Sequence, residues 1–135
     1  MADVGLLALA KEYANWLFGK QADYVVEHGV QSGWIYEKWA SGVAKCYSSI
    51  SKDANTTIYD STAGDAKVAY ASLAKSFPSG LFKDKPYVFV TAVDSGTGNV
   101  TAEDFSSTAT ICYVTVWGTR TAIGTVNVEA VGFWK

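Results

Sequence analysis

The feature that most constrains the fold is a series of short runs, from residue 24 onward, rich in Val, Ile, Thr and aromatic residues and separated by Gly, Asn, Asp and Ser. This pattern is typical of antiparallel strands joined by turns, because β-branched and aromatic side chains suit an extended, half-buried backbone. The sequence therefore predicts a mainly β domain, an antiparallel β-sandwich of about seven to nine strands. The predicted strands are DYVVE, GWIYEKW, VAKCYSSI, KVAYASLA, PYVFVTAV, ATICYVTVW and TVNVEAVGFW.

Four segments of this part of the chain have other or ambiguous patterns. KVAYASLAKSF is ambiguous, since its apolar residues also fit a short helix. The polar stretches 51–65 and 94–107 lack a strand pattern and are predicted to be long surface connections. Both prolines lie in FPSGLFKDKP, which predicts an irregular corner before the strand at Tyr87.

The N-terminal 20 residues are predicted to form a separate amphipathic helix for attachment or oligomerisation, with residues 21–135 as the β domain. Asp3 is suited to cap this helix and Gly19 to end it. Its hydrophilic side is thin, so the helix lies either across the domain's own core or against copies of itself or a larger assembly. The apolar residues at helical spacing, which are the expected contacts, are Leu6, Leu9, Tyr13, Trp16 and Leu17.

The stretch WIYEKWASGVAKCY, residues 34–47, predicts a hairpin that can pair in two registers. A two-residue turn would set Lys38 opposite Lys45, and like charges directly opposite each other are unfavourable. A three-residue turn with Gly42 in the left-handed conformation sets Glu37 opposite Lys45 instead, so this register is expected. The residues predicted to form the core or an interface are Trp34, Tyr36, Trp39, Cys46 and Tyr47.

Both faces of this hairpin carry apolar side chains. Trp34, Tyr36, Ala44 and Cys46 share one face, whereas Ile35, Trp39, Val43 and Tyr47 share the other with the Glu37–Lys45 pair. A sheet with one face exposed to solvent does not explain apolar side chains on both faces. We therefore expect a second sheet to cover one face and a symmetric oligomer interface to cover the other.

Composition disfavours several classes of protein. The net charge is −2 and no run of Lys or Arg occurs, so neither nucleic acid nor an anionic membrane is an expected partner. Asp3, Lys11 and Glu12 interrupt the pattern of an export signal or a membrane span, so synthesis in a reducing cytoplasm is expected. Cys46 and Cys112 are expected to be buried as small apolar residues, with one long-range disulfide as the alternative.

Catalytic chemistry and cofactors are not predicted. His28 is the single histidine, and no Cys or His spacing typical of a metal site occurs. Three exposed rings could instead stack against sugars, namely Tyr59, Trp117 or Trp134, although core or interface packing is the expected role of large rings.

Two segments resemble small virion structural proteins of phages and prophages of Gram-positive bacteria. The resemblance covers residues 23–47 and 126–135, with the lead-in DYVVEHG and the chain end NVEAVGFWK. In that family a DYVVEQG lead-in precedes a Trp-x-Tyr-x-Lys-Trp hairpin with an Ala-x-Cys-Trp return strand. The residues that correspond to this pattern here are Trp34, Tyr36, Lys38, Trp39, Ser41, Gly42, Ala44 and Cys46, followed by Tyr47 at the position of the last Trp.

The resemblance implies a fibre, head-fibre or tail component, located in the virion, whose β domain is the distal knob of a homotrimeric appendage. The implied partners are sister chains, other virion proteins through the helix and a host-surface glycan through the polar loops 52–66 and 94–106. The chain departs from the family at Tyr47, where Trp is usual, at Phe133, where Arg is usual, and in the reversed charges of Glu37 and Lys45.

Two other functions are alternatives. A free carbohydrate-binding module would share the β domain but would be a monomer with a dispensable helix. A small hydrolase is the least favoured function, because the sequence has a single histidine and no motif of a catalytic nucleophile.

Overall fold

A computed structural model describes residues 5–13, 23–63, 66–93 and 99–135 of the chain. Residues 5–13 are helical, and the predicted helix contacts Trp16 and Leu17 lie outside the described residues. None of the described helical residues forms a segment long and apolar enough to cross a membrane. The strands are β1 Val25–Gln31, β2 Trp34–Trp39, β3 Val43–Ser51, β4 Ile58–Ala63, β5 Ala66–Ser76, β6 Tyr87–Val93, β7 Val100–Asp104, β8 Ile111–Gly118 and β9 Thr125–Phe133.

The strands form two antiparallel sheets. The five-stranded sheet has the order β1-β2-β3-β9-β6, and the four-stranded sheet has the order β4-β5-β8-β7. Every paired strand is antiparallel to its neighbour. The prediction of a mainly β, antiparallel domain is therefore confirmed.

One core lies between the two sheets. Alternate side chains of β3 and β9 point inward from the five-stranded sheet, and alternate side chains of β5 and β8 point inward from the other. Trp34 is fully buried and packs its ring 5.0 Å from that of Phe77. The other fully buried large side chains are Leu81, Ile123, Val114, Val116, Val126, Cys46 and Cys112.

The two polar stretches were predicted wrongly as uninterrupted connections, because each contains a strand. β4 lies within residues 51–65 and β7 within residues 94–107. Both are edge strands of the four-stranded sheet, where polar side chains on one face meet water and also protect the open edge from pairing with other chains. The ambiguous segment KVAYASLAKSF is resolved as strand β5, which pairs with both β4 and β8.

The hairpin register predicted from charge is confirmed. Glu37 lies opposite Lys45, and Tyr36 opposite Cys46. The turn closes through a hydrogen bond of 2.9 Å from the amide of Gly42 to the carbonyl oxygen of Trp39, and Gly42 has a φ of 102°. Only glycine adopts such a φ without strain, which is why the sequence carries Gly at this turn.

The proline-containing corner is also confirmed, since residues 77–86 contain no strand. This corner nevertheless contributes to the core. Phe77, Leu81 and Phe82 are buried, and the rings of Phe77 and Phe82 meet edge to face at 5.1 Å. The corner thereby closes one end of the space between the sheets.

Candidate interaction surfaces

The outer side of the five-stranded sheet is apolar although no described residue covers it. One cross-strand row runs Val30, Ile35, Tyr47, Glu129 and Phe89, set by the pairing of β1, β2, β3, β9 and β6. Ile35 is 62% exposed and Phe89 is 59% exposed. These values are high for large apolar side chains in one cross-strand row, and patches of this kind mark interaction surfaces in soluble proteins.

The neighbouring rows extend the same surface. Tyr87 is 74% exposed and lies opposite Val131, and Phe133 is 55% exposed at the end of β9. We call this surface the five-strand face. Its apolar members are Val30, Ile35, Trp39, Val43, Tyr47, Tyr87, Phe89, Val131 and Phe133.

The charged side chains of the five-strand face do not pair as their register suggests. The ion pairs found among the described residues are Lys38–Glu27, Lys85–Asp104 and Arg120–Asp60, so Glu37 and Lys45 are opposite each other without forming one. Lys45 instead places its Nζ 5.5 Å from the centre of the Trp39 ring, within the range of a cation–π contact. Partial burial, and then the nearby charges of Glu37 and Glu129, raise the pKa of Tyr47.

A polar row borders this apolar surface. Ser49, Asn127 and Thr91 lie side by side on β3, β9 and β6, and the Ser49 hydroxyl donates a hydrogen bond of 2.6 Å to Asn127 Oδ1. Between this row and the rings of Tyr47 and Phe89 lies an open groove of about 550 Å³. The five-strand face thus has an apolar part near the hairpin and a polar part at its other end.

The predicted hairpin residues divide between the core and this surface. Trp34 and Cys46 are fully buried, and Trp34 Nε1 donates a hydrogen bond of 2.7 Å to the carbonyl oxygen of Ser76. Tyr36 is half-buried and its hydroxyl donates a hydrogen bond of 3.0 Å to Glu27. Trp39 and Tyr47 lie on the five-strand face, so one side of the hairpin is buried in the core and no described residue covers the other side.

Trp39 also carries an unpaired polar atom. Its Nε1 is buried and has no acceptor among the described residues. A buried N–H without an acceptor is unfavourable by about 1–3 kcal/mol. By contrast, the backbone carbonyl oxygen of Trp39 accepts two hydrogen bonds, one from the amide of Gly42 and one from Trp134 Nε1.

The two segments that carry the family resemblance meet at the hairpin turn. Trp134 Nε1 donates a hydrogen bond of 2.9 Å to the carbonyl oxygen of Trp39, and Lys135 Nζ donates one of 2.6 Å to that of Ala40. From the other side, the Asp23 carboxylate accepts hydrogen bonds from the amide and the hydroxyl of Ser41. The Asp at the lead-in, the turn and the Trp-Lys end therefore form one structural unit, and Trp134 is not a free sugar platform.

The outer side of the four-stranded sheet carries a second surface, a row of three aromatic rings. Tyr59, Tyr70 and Trp117 lie directly opposite one another on β4, β5 and β8. The ring centres of Tyr59 and Tyr70 are 5.1 Å apart with planes at 20°, and those of Tyr70 and Trp117 are 4.8 Å apart with planes at 32°. We call this row the aromatic ladder.

Polar groups adjoin the aromatic ladder on the same face. Trp117 Nε1 donates a hydrogen bond of 3.3 Å to Glu103 Oε1, and Thr101 lies opposite Trp117 on the edge strand β7. Tyr59 is 50% exposed and Trp117 is 36% exposed. Tyr70 was missed from the sequence, and only the register of β4, β5 and β8 would have placed it between the two rings that were considered.

The described part of the N-terminal helix is exposed on all sides. Leu6, Leu9 and Tyr13 are more than half exposed, as is Leu7. An amphipathic helix whose apolar side faces water is suited to contact another chain. The structure thus places three of the five predicted helix contacts on an exposed surface.

The described residues contain no group of three or more His, Cys, Asp or Glu side chains that could hold a metal ion. Cys46 and Cys112 are free, buried thiols, so the alternative of a disulfide is not the state in this structure. Burial raises the pKa of Cys46 to about 12 and that of Cys112 to about 11. The thiols therefore act as apolar core residues, as expected.

Comparison with known proteins gave no match. No protein-family model, curated protein or solved structure matched this chain.

Proposed function

We propose that the protein is a small structural component of a phage or prophage virion, a fibre or decoration protein that assembles with copies of itself. Its β domain would be a knob-like β-sandwich and its assembly a homotrimer. The role is mechanical and adhesive rather than enzymatic: the N-terminal helix attaches the chain to the particle or to sister helices, and the β domain projects from it.

The observation that carries this proposal is the five-strand face. Its apolar residues extend across all five strands, and several of the largest, including Tyr87, Ile35 and Phe89, are more than half exposed. Transferring apolar surface from water stabilises a complex by about 25 cal/mol per Å². A face of this composition on a small chain is therefore explained by a partner, and a symmetric copy is the simplest one.

The N-terminal helix supports the same proposal independently. Leu6, Leu9 and Tyr13 present apolar surface that the described part of the β domain does not bury. In a trimer, three such helices could pack on one another or together on a virion protein. The resemblance of residues 23–47 and 126–135 to virion proteins is what directs the proposal to a phage particle rather than to another assembly.

The alternative function, a free carbohydrate-binding module, is favoured by one observation, the aromatic ladder with Glu103 beside it. The two functions differ in assembly, because the module would work as a monomer. A trimeric fibre that also binds a glycan would reconcile the two sets of features.

The assembly is tested with a matched pair of full-length variants. Phe89→Glu places a charge within the apolar part of the five-strand face, and Thr91→Glu places the same charge two residues along the same strand in the polar row. We expect Phe89→Glu to lower the mass in solution to that of one chain and Thr91→Glu to keep the wild-type mass. Equal masses for wild type and both variants would count against this interface.

The virion role is tested separately. Particles purified from the bacterial host that carries the gene are labelled with an antibody against the β domain and viewed by electron microscopy. We expect label at fixed positions on the particle. Intact particles that contain no copy of the chain by mass spectrometry would overturn the virion role, whatever the mass of the isolated protein.

A further inference from the structure

We propose that the aromatic ladder is a binding surface for a neutral oligosaccharide, with Trp117 and Tyr59 as the stacking residues and Glu103 as the acceptor for sugar hydroxyls. The inference extends the proposed function, because it names the surface and the ligand class through which the assembled particle would contact a host glycan. It moves the expected recognition site from the polar loops to the face of a sheet.

The first step is the shape of the ladder. Ring centres 5.1 and 4.8 Å apart, with planes inclined by only 20° and 32°, place the three rings as overlapping plates across three strands. Tyr70 has a ring neighbour on each side, whereas Tyr59 and Trp117 each have one among the described residues. Each end ring therefore keeps one side free of any described ring, and the C–H face of a pyranose can pack there.

The second step is that the ladder is fixed before a ligand arrives. The hydrogen bond from Trp117 Nε1 to Glu103 Oε1 and the stack on Tyr70 together fix the orientation of the indole. A side chain that is already ordered loses little conformational entropy on binding, which favours affinity. Tyr59 is held in the same way by its stack on Tyr70.

The third step is the polar group at the end of the ladder. Glu103 is exposed, and only its Oε1 is used by Trp117. Exposed Thr101 lies opposite Trp117 on β7, so both polar residues adjoin the Trp117 end of the ladder. An acceptor beside an exposed ring is the arrangement that orients a hydroxyl-rich ligand, since apolar rings supply contact area and few polar groups supply direction.

Charge decides the class of ligand. Single-stranded nucleic acid also stacks on aromatic rows, but its binding surfaces combine the rings with cations that follow the backbone. Here the ladder contacts the acidic Glu103, and the cation–π contacts found among the described residues involve none of its three rings. A hydroxyl group of a neutral sugar can donate a hydrogen bond to the Glu103 carboxylate, whereas the carboxylate would repel a phosphate backbone.

The ladder also lies on the sheet opposite to the proposed assembly interface. Residues of the ladder belong to β4, β5 and β8, whereas the five-strand face belongs to the other sheet. A trimer built on the five-strand face would therefore leave the ladder facing outward. Loss of assembly and loss of sugar binding can consequently be separated by substitution.

The test is titration calorimetry of the full-length protein with cellohexaose, maltohexaose and chitohexaose, and with a single-stranded oligothymidylate as the nucleic-acid probe. We expect saturable binding of at least one hexasaccharide, and Trp117→Ala and Tyr59→Ala each to weaken it about tenfold. Glu103→Ala should weaken binding as well. Because this substitution removes no ring, its effect cannot arise from misfolding caused by the loss of a ring. The matched control is Tyr24→Ala, an exposed tyrosine beside the other sheet, which should leave the affinity unchanged.

Two results would overturn the inference: no saturable binding of any of the three hexasaccharides, or binding that Trp117→Ala and Glu103→Ala leave unchanged. Binding of the oligothymidylate in place of the sugars would also overturn it. A monomeric Phe89→Glu variant that still binds a hexasaccharide would leave the sugar site standing while showing that it does not depend on assembly.

Discussion

Trp134 Nε1 donates a hydrogen bond of 2.9 Å to the carbonyl oxygen of Trp39, and this bond ties the end of the chain to a hairpin turn 95 positions earlier in the sequence. Lys135 and Asp23 hold the same turn from two further directions. Residues from both ends of the β domain thus meet at this one hairpin turn.

Replacing Trp134 by Phe should destabilise the fold more than the same change at Trp39. Trp134→Phe deletes a partly buried donor and leaves a carbonyl short of one hydrogen bond, a loss of about 1 kcal/mol. Trp39→Phe removes an Nε1 that has no acceptor among the described residues, and so loses no such bond. Chemical denaturation of both variants measures the difference, and equal losses would show that the indole bond contributes nothing.

Gly42→Ala should be more destabilising than Gly80→Ala. Both glycines have positive φ, 102° and 70°, so both substitutions strain the backbone by about 1 kcal/mol. A Cβ at Gly42 would also lie 3.1 Å from Cγ of Lys135, whereas a Cβ at Gly80 meets nothing within 4 Å. Thermal denaturation compares the two variants. The same melting temperature for both would show that the Lys135 side chain moves aside without destabilising the fold.

The stability of the protein should fall in acid partly through Asp23. Hydrogen bonds from Ser41 lower the pKa of this carboxyl below its ordinary value of 3.8. Because the folded pKa is the lower one, the stabilisation is present above pH 3.8 and is lost as the pH falls through the folded value. In Asp23→Asn the free energy of unfolding should therefore fall less steeply with decreasing pH below this value. Part of the pH dependence remains, because the pKa values of Glu27 and Asp60 are also lowered. Identical slopes for wild type and variant would contradict this role.

Both cysteines should resist alkylation in the folded protein. Burial raises the pKa of Cys46 to about 12 and that of Cys112 to about 11, and the thiolate is the reactive form. At pH 8 we expect iodoacetamide to label neither thiol in the native state and both in denaturant, as read by mass spectrometry. Fast labelling of the native protein would show that the core opens readily.

Patterns of neighbouring residues were enough for much of the fold. The alternation of apolar residues predicted the strands of the core, and the like-charge pair of Lys38 and Lys45 was enough to reject the wrong hairpin register. The ion pair expected between Glu37 and Lys45 does not form, because Lys45 contacts the Trp39 ring instead, and the sequence alone could not show that alternative. Edge strands β4 and β7 escaped prediction since polar residues on an exposed edge look like those of a loop.

The candidate surfaces needed long-range pairing. Tyr59, Tyr70 and Trp117 are scattered over three strands and become a ladder only when β5 pairs with both β4 and β8. The five-strand face was anticipated in part, because apolar side chains on both sides of the hairpin required cover. Which side faces the second sheet depends on the packing of Trp34, Ala44 and Cys46 in the core.

The mass of the full-length wild-type protein in solution, measured by sedimentation over a range of concentrations, tests the proposed assembly most directly. Assembly through the five-strand face predicts a species of three times the 14.5 kDa of one chain that persists on dilution into the micromolar range. A mass of 14.5 kDa at every concentration would contradict it, because the exposed apolar face would then have no partner among copies of this chain.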